Sequence, residues 1–341
     1  MPPAQLFVVP ELGGRPTGGT LYNRGLLSAL AARGASVRAM DLTGALGALH
    51  ESEFDLVWVD SMYLDAMPKL SALRSGHGKL GLLLHYLPAL VTLGADVDVG
   101  QLSRPEREAL ALPDLVLTTS EFMRKTVLRL GLAKGAVFAV EPACELAPSA
   151  ALPGPEHGIL AIVVAHVVSG KGIEPLLAAL ASALEPEDRL ALRIVGDLEA
   201  EPAYAARCRA LVAREAALSA RVTFCGSLSA AAVRAELTAS NLFLSSSVME
   251  SYGMALAEGR RVGLPLLARD AGNVRAHVRT EAGGELVEDV GDLARACARL
   301  CRDPAEHARR LSAAKSHIPA LRSWDNAALE LISWLAPGTS N

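Results

Sequence analysis

Two glutamates flank a short uncharged run in the stretch VMESYGMALAEG (248–259). Glu250 and Glu258 lie eight positions apart, with Gly253 between them. A helix beginning near Met254 would offer unpaired amide groups and the positive end of its dipole to an anion. Glu250 would then precede this helix, and Glu258 would lie about a turn and a half inside it. We therefore expect the two carboxylates to contact different parts of one extended ligand.

The same spacing is also typical of a solvated surface, because glutamates on an alanine-rich helix usually face water. The setting of this stretch favours a ligand site. The preceding run NLFLSS (241–246) predicts a strand that ends in serines, and the loop and helix start follow it directly. Doubly wound sheets bind ligands outside the carboxyl ends of their strands, which is where both glutamates would lie.

Hydrophobic periodicity predicts strands that alternate with helices along the first half of the chain. The first strand, a glycine-rich loop and a helix closed by Gly34 form a βα unit. The predicted strands of this half are 6–9, 36–40, 54–60, 80–86, 114–120 and 136–140. Such alternation predicts a parallel sheet with helices on both faces.

A break at 141–158, with four prolines, two glycines and no sustained period, predicts a linker. The alternation then restarts with strands at 159–167, 190–196, 221–226, 241–246 and 264–268, followed by a run of helices to the end. The sequence thus predicts an α/β chain of two doubly wound, Rossmann-like domains. The default ligand site of such a chain is the cleft between its domains.

Composition argues against several classes of protein. The 341 residues suffice for two domains, and a content of 51% hydrophobic residues predicts packed layers rather than disorder. A net charge of −4 argues against a nucleic-acid-binding protein. Five cysteines without a CxxC pair predict reduced thiols. Cys297 and Cys301, one helical turn apart, lack histidine or carboxylate companions, so no metal site is expected.

The longest run without a formal charge, 80–95, is too short for a typical bilayer span and is interrupted by His85 and Pro88. No transmembrane helix is therefore predicted. The N-terminus lacks a basic start before its apolar run, which favours a first strand over a signal peptide. We expect a cytoplasmic protein.

The stretch SNLFLSSSVMESYGMALAEGRRVGLPLLARDAGNVRAHV (240–278) resembles the donor-binding region of retaining glycosyltransferases of the GT-B fold, family 4 (glycosyl transferases group 1), with its Glu-x7-Glu motif. The resemblance implies that Glu250 contacts the transferred sugar. It implies that Glu258 holds the ribose of the nucleotide.

Further donor contacts are implied nearby. The amides of Gly253 and Met254 would approach the donor, and Tyr252 stands where the family usually has phenylalanine. The segment RVTFCGSLS (221–229) resembles the turn that cradles the base, which places Leu228 near it.

The diphosphate would be held from two other segments. GGRPTGG (13–19) resembles the family's glycine loop, so Gly18 and Gly19 are expected near the donor phosphates. In VVAHVVSGKG, Lys171 matches the family's phosphate-binding lysine, but His166 replaces its arginine. A histidine is not reliably charged at neutral pH, so phosphate binding would be weaker or pH-dependent. His166 could equally be a strand-end histidine with its hydrogen bonds satisfied.

Three features concern the first half. His85, in LLLHYLP, matches a family histidine that contacts the transferred sugar, although histidines on apolar strands are often core residues. Ser120, in TTSEFMRKTVLRLG, is the expected N-cap of a helix. VEPACE (140–145) departs from the family's usual Pro-Gly-Val-Asp-like ending, so the hinge is unusual.

The resemblance implies three segments: an acceptor-side domain (1–145), a donor domain (146–318) and a closing helix that returns to the first domain (319–341). It implies retaining transfer of a hexosyl group from a UDP- or GDP-sugar to a hydroxyl-type acceptor, with no cofactor besides the donor. A nucleotide-sugar epimerase, a sugar-phosphate-accepting synthase and a non-catalytic nucleotide-sugar-binding protein remain alternatives. Small and lipid-linked acceptors both remain open, because the helix at 120–135 fits either a peripheral membrane contact or a solvated basic face.

Overall fold

The computed structural model of the protein describes residues 3–11, 17–51, 54–73 and 78–336. Contacts within the chain divide it into two compact units. The first unit comprises Met1–Glu145 together with Leu321–Asn341, and the second comprises Leu146–Ala320.

The described part of the first unit forms a six-stranded parallel sheet in the order β2-β1-β3-β4-β5-β6. Its strands are β1 (Gln5–Val8), β2 (Val37–Met40), β3 (Leu56–Asp60), β4 (Lys79–Leu84), β5 (Leu115–Thr118) and β6 (Ala136–Ala139). The helices between them are α1 (Gly18–Ala32), α2 (Leu42–Glu51), α3 (Met67–Leu73), α4 (Pro88–Leu93), α5 (Arg104–Ala111) and α6 (Glu121–Leu130). Runs such as LVWV and LGLLL form the central strands because both faces of this sheet are covered and buried.

Helix α6 begins where the sequence predicts it. The hydroxyl of Ser120 accepts a hydrogen bond from the amide of Met123 at 3.1 Å, which confirms Ser120 as the N-cap. Arg124 of this helix pairs with Glu121, and the guanidinium of Arg129 donates to the carbonyls of Ala95 and Val97. These two basic side chains therefore bond within the first unit.

The described part of the second unit forms another six-stranded parallel sheet, in the order β12-β11-β10-β7-β8-β9. Its strands are β7 (Ile159–Val164), β8 (Leu190–Val195), β9 (Val222–Gly226), β10 (Leu242–Ser245), β11 (Leu266–Arg269) and β12 (Glu285–Val287). Its helices are α7 (Ile173–Ala183), α8 (Pro202–Arg214), α9 (Ala216–Ser219), α10 (Ala230–Thr238), α11 (Met254–Val262), α12 (Val274–His277), α13 (Val290–Arg302) and α14 (Pro304–Ser316).

The last helix, α15 (Trp324–Leu335), is part of the first unit and packs on α1. Gly25 permits this close approach, because a Cβ atom there would lie 2.1 Å from the indole ring of Trp324. Among the residues the structure describes, none of the helices is long and apolar enough to cross a membrane.

The prediction of two doubly wound parallel sheets is confirmed. The expectation of helices alone after the strand at 264–268 is wrong, because β12 adds an edge strand to the second sheet. Hydrophobic periodicity does not reveal this strand, because it has only three residues and two of them are partly exposed.

A glycine in the first sheet generates a stability prediction. Gly81 on β4 pairs with Trp58 on β3, whose indole is fully buried, and a Cβ atom at position 81 would lie 2.3 Å from that ring. Gly81→Ala should lower the free energy of unfolding by about 1–3 kcal/mol, as overpacking does. Gly47→Ala on α2, where nothing lies within 4 Å of the added Cβ, is the matched control and should be neutral or stabilising. Thermal or urea unfolding checks both, and equal stabilities would contradict the packing argument.

Candidate functional site

The second sheet has its topological switch point between β7 and β10, because chain order runs outward in opposite directions from this pair. Loops that follow these two strands therefore meet at the carboxyl edge of the sheet, where such folds bind ligands. The loop after β7 carries Lys171, and the loop after β10 carries Glu250.

The two loops place Lys171 and Glu250 in contact. The ammonium Nζ of Lys171 lies 2.5 Å from Oε1 of Glu250, and the hydroxyl of Ser247 donates to the same Oε1 at 2.7 Å. Both side chains are partly buried, with 29% of Lys171 and 16% of Glu250 exposed. The protein thus occupies one oxygen of Glu250, and no described residue bonds to Oε2.

Two hydrogen bonds and a glycine hold the loops that carry Lys171 and Glu250 against each other. The amide of Val248 donates to the carbonyl of Gly170 at 2.9 Å, and the hydroxyl of Ser246 donates to the carbonyl of Lys171 at 2.8 Å. Gly172 has φ +63°, and a Cβ atom there would lie 2.3 Å from the carbonyl oxygen of Ser246. Only glycine allows this approach of the two loops.

The carbonyl of Tyr252 helps to fix the turn before α11. The carbonyl oxygen of Tyr252 accepts hydrogen bonds from the side-chain amide of Asn273 at 2.9 Å and from Nε2 of His277 at 2.7 Å. The rings of Tyr252 and His277 also meet edge to face. Gly253 follows with φ +93° as the N-cap of α11 and provides no capping side chain. The amides at the start of α11, including that of Met254, therefore have no side-chain cap.

Glu258 lies inside α11 and is partly buried. Burial raises the pKa of its carboxyl to about 7. Within the described part of the chain no residue donates a hydrogen bond to this carboxylate. Both glutamates singled out in the sequence thus belong to one strand, loop and helix segment.

His166 lies two residues beyond β7, which ends at Val164 and not at position 167 as predicted, and its ring makes a defined contact. Nδ1 accepts a hydrogen bond from the amide of Asp197 at 3.3 Å. The ring is thereby held against the loop that follows β8. Leu228, between β9 and α10, packs against the apolar cluster that includes Phe243 and Leu256.

In the first unit, the structure brings Gly19 and His85 together. Gly18 and Gly19 begin α1, and a Cβ atom at Gly19 would lie 3.2 Å from Cδ2 of His85. The preceding glycine-loop residues 13–16 lie outside the described residues. His85 follows β4, and its Nε2 lies 2.9 Å from Oδ1 of Asn23 and 3.2 Å from Oδ2 of Asp60.

Sequence reasoning assigned no role to five of these contact residues: Ser247, Asn273, His277, Asn23 and Asp60. An acidic residue at the end of the apolar run LVWVD was the available indication for Asp60, and the serine run before Glu250 was the indication for Ser247. In the described ranges, no group of three histidine, cysteine, aspartate or glutamate side chains is arranged to hold a metal ion.

Residues 149–317, nearly the whole second unit, match the family model described as glycosyl transferases group 1. The second unit thus matches that family over nearly its whole length. A related protein is the D-inositol 3-phosphate glycosyltransferase of Mycobacterium avium (strain 104), which is 36% identical over 126 residues. That alignment covers 36% of this chain and 30% of the relative, so the chain matches under a third of the relative's length.

Solved structures of similar fold cover nearly the whole chain. Sucrose-phosphate synthase from Thermosynechococcus elongatus superposes with a TM-score of 0.78 at 21% identity, covering 98% of each chain. Anabaena HepE in complex with UDP-glucose superposes with a TM-score of 0.74 at 17% identity, covering 98% of this chain and 99% of HepE. These likenesses establish the GT-B fold of two Rossmann-like domains.

The burial of His277 generates a pH prediction. Its side chain is 6% exposed, and burial lowers its pKa from 6.5 to about 4, despite the bond to the Tyr252 carbonyl. Between pH 6.5 and 4 the unfolded state binds the proton that the folded state does not, so this stability is complete above pH 6.5 and is lost as the pH falls to about 4. The loss should be on the order of 3 kcal/mol.

His277→Gln keeps a donor for Tyr252 but does not titrate. Its unfolding free energy should therefore fall less than that of the wild type between pH 6.5 and 4.5, as measured by urea unfolding. His157→Gln is the control, because it makes the same substitution at a side chain that is 60% exposed. An identical acid profile for His277→Gln and the wild type would contradict the assignment.

Proposed function

We propose that the chain is a retaining glycosyltransferase that moves a hexosyl group from a nucleotide-diphosphate sugar to a hydroxyl of an acceptor. The observation that carries the proposal is the Lys171–Glu250 contact at the switch point, next to the uncapped start of α11. A cation and free amide groups suit a diphosphate, and a carboxylate with one unoccupied oxygen suits a sugar hydroxyl. Membership of the second unit in glycosyl transferases group 1 supports the same proposal.

The diphosphate would be held by three kinds of donor. An ammonium has three N–H donors, so Lys171 can keep one on Glu250 and offer the others to phosphate oxygens. The amides of Gly253 and Met254 would add backbone donors, and Gly18 and Gly19 would contribute from the start of α1. His166 would contribute its imidazole ring in place of the family's arginine, whose guanidinium can make two parallel bonds.

The sugar and nucleoside would be recognised by the two glutamates. Oε1 of Glu250 already accepts from Lys171 and Ser247, which leaves Oε2 for a hydroxyl of the transferred sugar. Glu258 would accept hydrogen bonds from the ribose hydroxyls, which would supply the donors that its buried carboxylate lacks. Leu228 would pack near the base, Tyr252 would border the donor, and His85 would contact the sugar.

In the proposed reaction the bond between the anomeric carbon and the diphosphate oxygen breaks, and its electron pair leaves with the diphosphate. The acceptor oxygen bonds to the same face of the anomeric carbon, and the acceptor proton passes to a diphosphate oxygen. Lys171 stabilises the charge that develops on the leaving group. Because the donor takes the proton, no residue of the chain is needed as a general base, and no cofactor besides the donor is invoked.

UDP-glucose is the first donor to test, since the structurally similar HepE binds it. The named activity of the mycobacterial relative includes a phosphorylated acceptor, so phosphorylated and plain polyols both belong in the acceptor set. No disulfide joins the five cysteines, all of which lie in the described ranges, and this fits a reducing, cytoplasmic location. A nucleotide-sugar epimerase is the second candidate, because the same two-domain fold and donor contacts would serve it.

The function is tested by incubating the protein with UDP-glucose and GDP-glucose, each with and without an acceptor panel. A donor that binds the folded state should raise the melting temperature in proportion to occupancy. NMR of the products should show a glycoside with the anomeric configuration of the donor. An inverted product would exclude retention, and an isomerised sugar formed without acceptor would favour the epimerase.

Replacing Glu250 tests the sugar contact. Glu250→Gln should lower the rate of transfer by about 100-fold, because a charged acceptor aimed at the reacting sugar is lost. Glu187→Gln is the control, since Glu187 is exposed in the turn before β8, at the opposite edge of the sheet. Steady-state kinetics with a fixed acceptor provide the measurement. Equal rates for the two variants would remove Glu250 from the proposed mechanism.

A further inference from the structure

A buried network of polar side chains lies at the carboxyl edge of the first sheet. Asp60 ends β3, His85 follows β4, and Asn23 projects from α1. The side-chain amide of Asn23 donates to Oδ2 of Asp60 at 2.6 Å, and Nε2 of His85 lies 3.2 Å from the same oxygen. Asp60 is 1% exposed and the His85 side chain 9% exposed, so the three groups bond mainly to one another.

The hydrogen bonds determine which nitrogen of His85 carries a proton. Because the nitrogen of the Asn23 amide donates to Asp60, its Oδ1 is the atom 2.9 Å from Nε2 of His85. Nε2 thus faces two oxygen acceptors, and only a protonated Nε2 satisfies them. No described residue bonds to Nδ1, so a neutral His85 has its lone pair there.

The charge of Asp60 makes this arrangement stable. Burial alone would raise the pKa of Asp60, but His85 and the hydrogen bonds from Met62 and Asn23 outweigh it, so the pKa is lowered. The carboxylate therefore stays ionised at neutral pH and remains an acceptor. Three tyrosines lie near the network, Tyr22, Tyr63 and Tyr86, and burial is the chief cause that raises the pKa of each, so all three stay neutral.

Three further contacts fix the orientation of the ring. The backbone amide of His85 donates to the hydroxyl of Ser61 at 3.1 Å. The ring of Tyr22 meets the imidazole edge to face, with centroids 5.2 Å apart. Gly19 lies against Cδ2, where a Cβ atom would be 3.2 Å away. The ring is thus held on its Nε2 and Cδ2 side, which leaves Nδ1 as its unused polar atom.

We propose that Asp60 and Asn23 are positioning residues that hold His85 in the tautomer protonated on Nε2, so that Nδ1 accepts a hydrogen bond from a hydroxyl of the transferred sugar. The substrate half of this inference rests on the proposed function, in which His85 contacts that sugar. The tautomer half rests on the network alone.

Nitrogen-15 NMR of histidine-labelled protein tests the tautomer without any activity. In the wild type, His85 should show a protonated Nε2 and an unprotonated Nδ1. Asp60→Asn can offer an amide N–H to the ring in place of the carboxylate, and it should move part of the proton population to Nδ1. Asp55→Asn is the matched control, since Asp55 precedes the same strand and accepts from the amide of Ala4. Should Asp60→Asn fail to fold, Asn23→Ala should move the population in the same direction.

UDP-glucose tests the substrate half. Its addition to the wild type should shift the Nδ1 resonance of His85, and UDP alone should leave that resonance in place. In kinetics, Asp60→Asn should lower kcat about tenfold, the equivalent of one hydrogen bond, with little change in KM for UDP-glucose. Asp55→Asn should match the wild type in both constants.

The outcomes of these experiments distinguish the positioning roles of Asp60 and Asn23 from the sugar contact of His85. A wild-type His85 protonated on Nδ1, or an Asp60→Asn variant with unchanged tautomer and kcat, would overturn the positioning roles. If UDP-glucose binds and the Nδ1 resonance of His85 does not shift, the sugar contact is overturned. If no nucleotide sugar binds the wild type, the proposed function fails and the sugar contact fails with it, while the tautomer measurement still decides the roles of Asp60 and Asn23.

Discussion

Every strand pair described in the two sheets is parallel, and this single constraint decides where chemistry can be placed. Parallel strands end at one edge, so the loops that follow them are gathered there whatever their separation in sequence. Chain order reverses between β1 and β3 in the first sheet and between β7 and β10 in the second. Adjacent loops diverge at these two points. Glu250 follows β10 at the second point, and Asn23 and Asp60, which bond to His85, follow β1 and end β3 at the first.

In the second unit, burial shapes the electrostatics around α11. It raises the pKa of Glu258 and lowers that of His277, so both groups are driven toward their neutral forms. Neutral His277 can donate to the Tyr252 carbonyl without adding a charge beneath the helix start. Lys171 and Glu250 lie in direct contact beside this helix start. The site therefore combines one preformed ion pair with backbone donors whose partners a ligand must provide.

The sequence predicted what depends on local period and local chemistry. Strands, most helices and the Ser120 cap follow from apolar alternation and side-chain type, and the strand-loop-helix around Gly253 follows from one contiguous segment. The contacts that shape the candidate site depend instead on strand order, which periodicity does not encode. Lys171 meets Glu250 across 79 residues only because β10 lies beside β7 rather than beside β9. The roles predicted for the individual site residues stay predictions, because a fold and a family do not test them.

In both units a candidate binding side chain is held in place through one of its polar atoms. A side chain that is to bind a ligand must be held still, yet its binding atom must stay unoccupied. Glu250 is held through Oε1 by Lys171 and Ser247, and His85 is held through Nε2 by Asp60 and Asn23. Glu250 has two carboxylate oxygens, and His85 has two ring nitrogens. In each side chain the protein bonds to one of the two atoms, and these bonds orient the other. Ordering these side chains before a ligand arrives removes rotamer entropy that binding would otherwise cost. Oε2 of Glu250 and Nδ1 of His85 are thus preorganised acceptors, and hydroxyl groups, as donors of single hydrogen bonds, are the ligands that suit them.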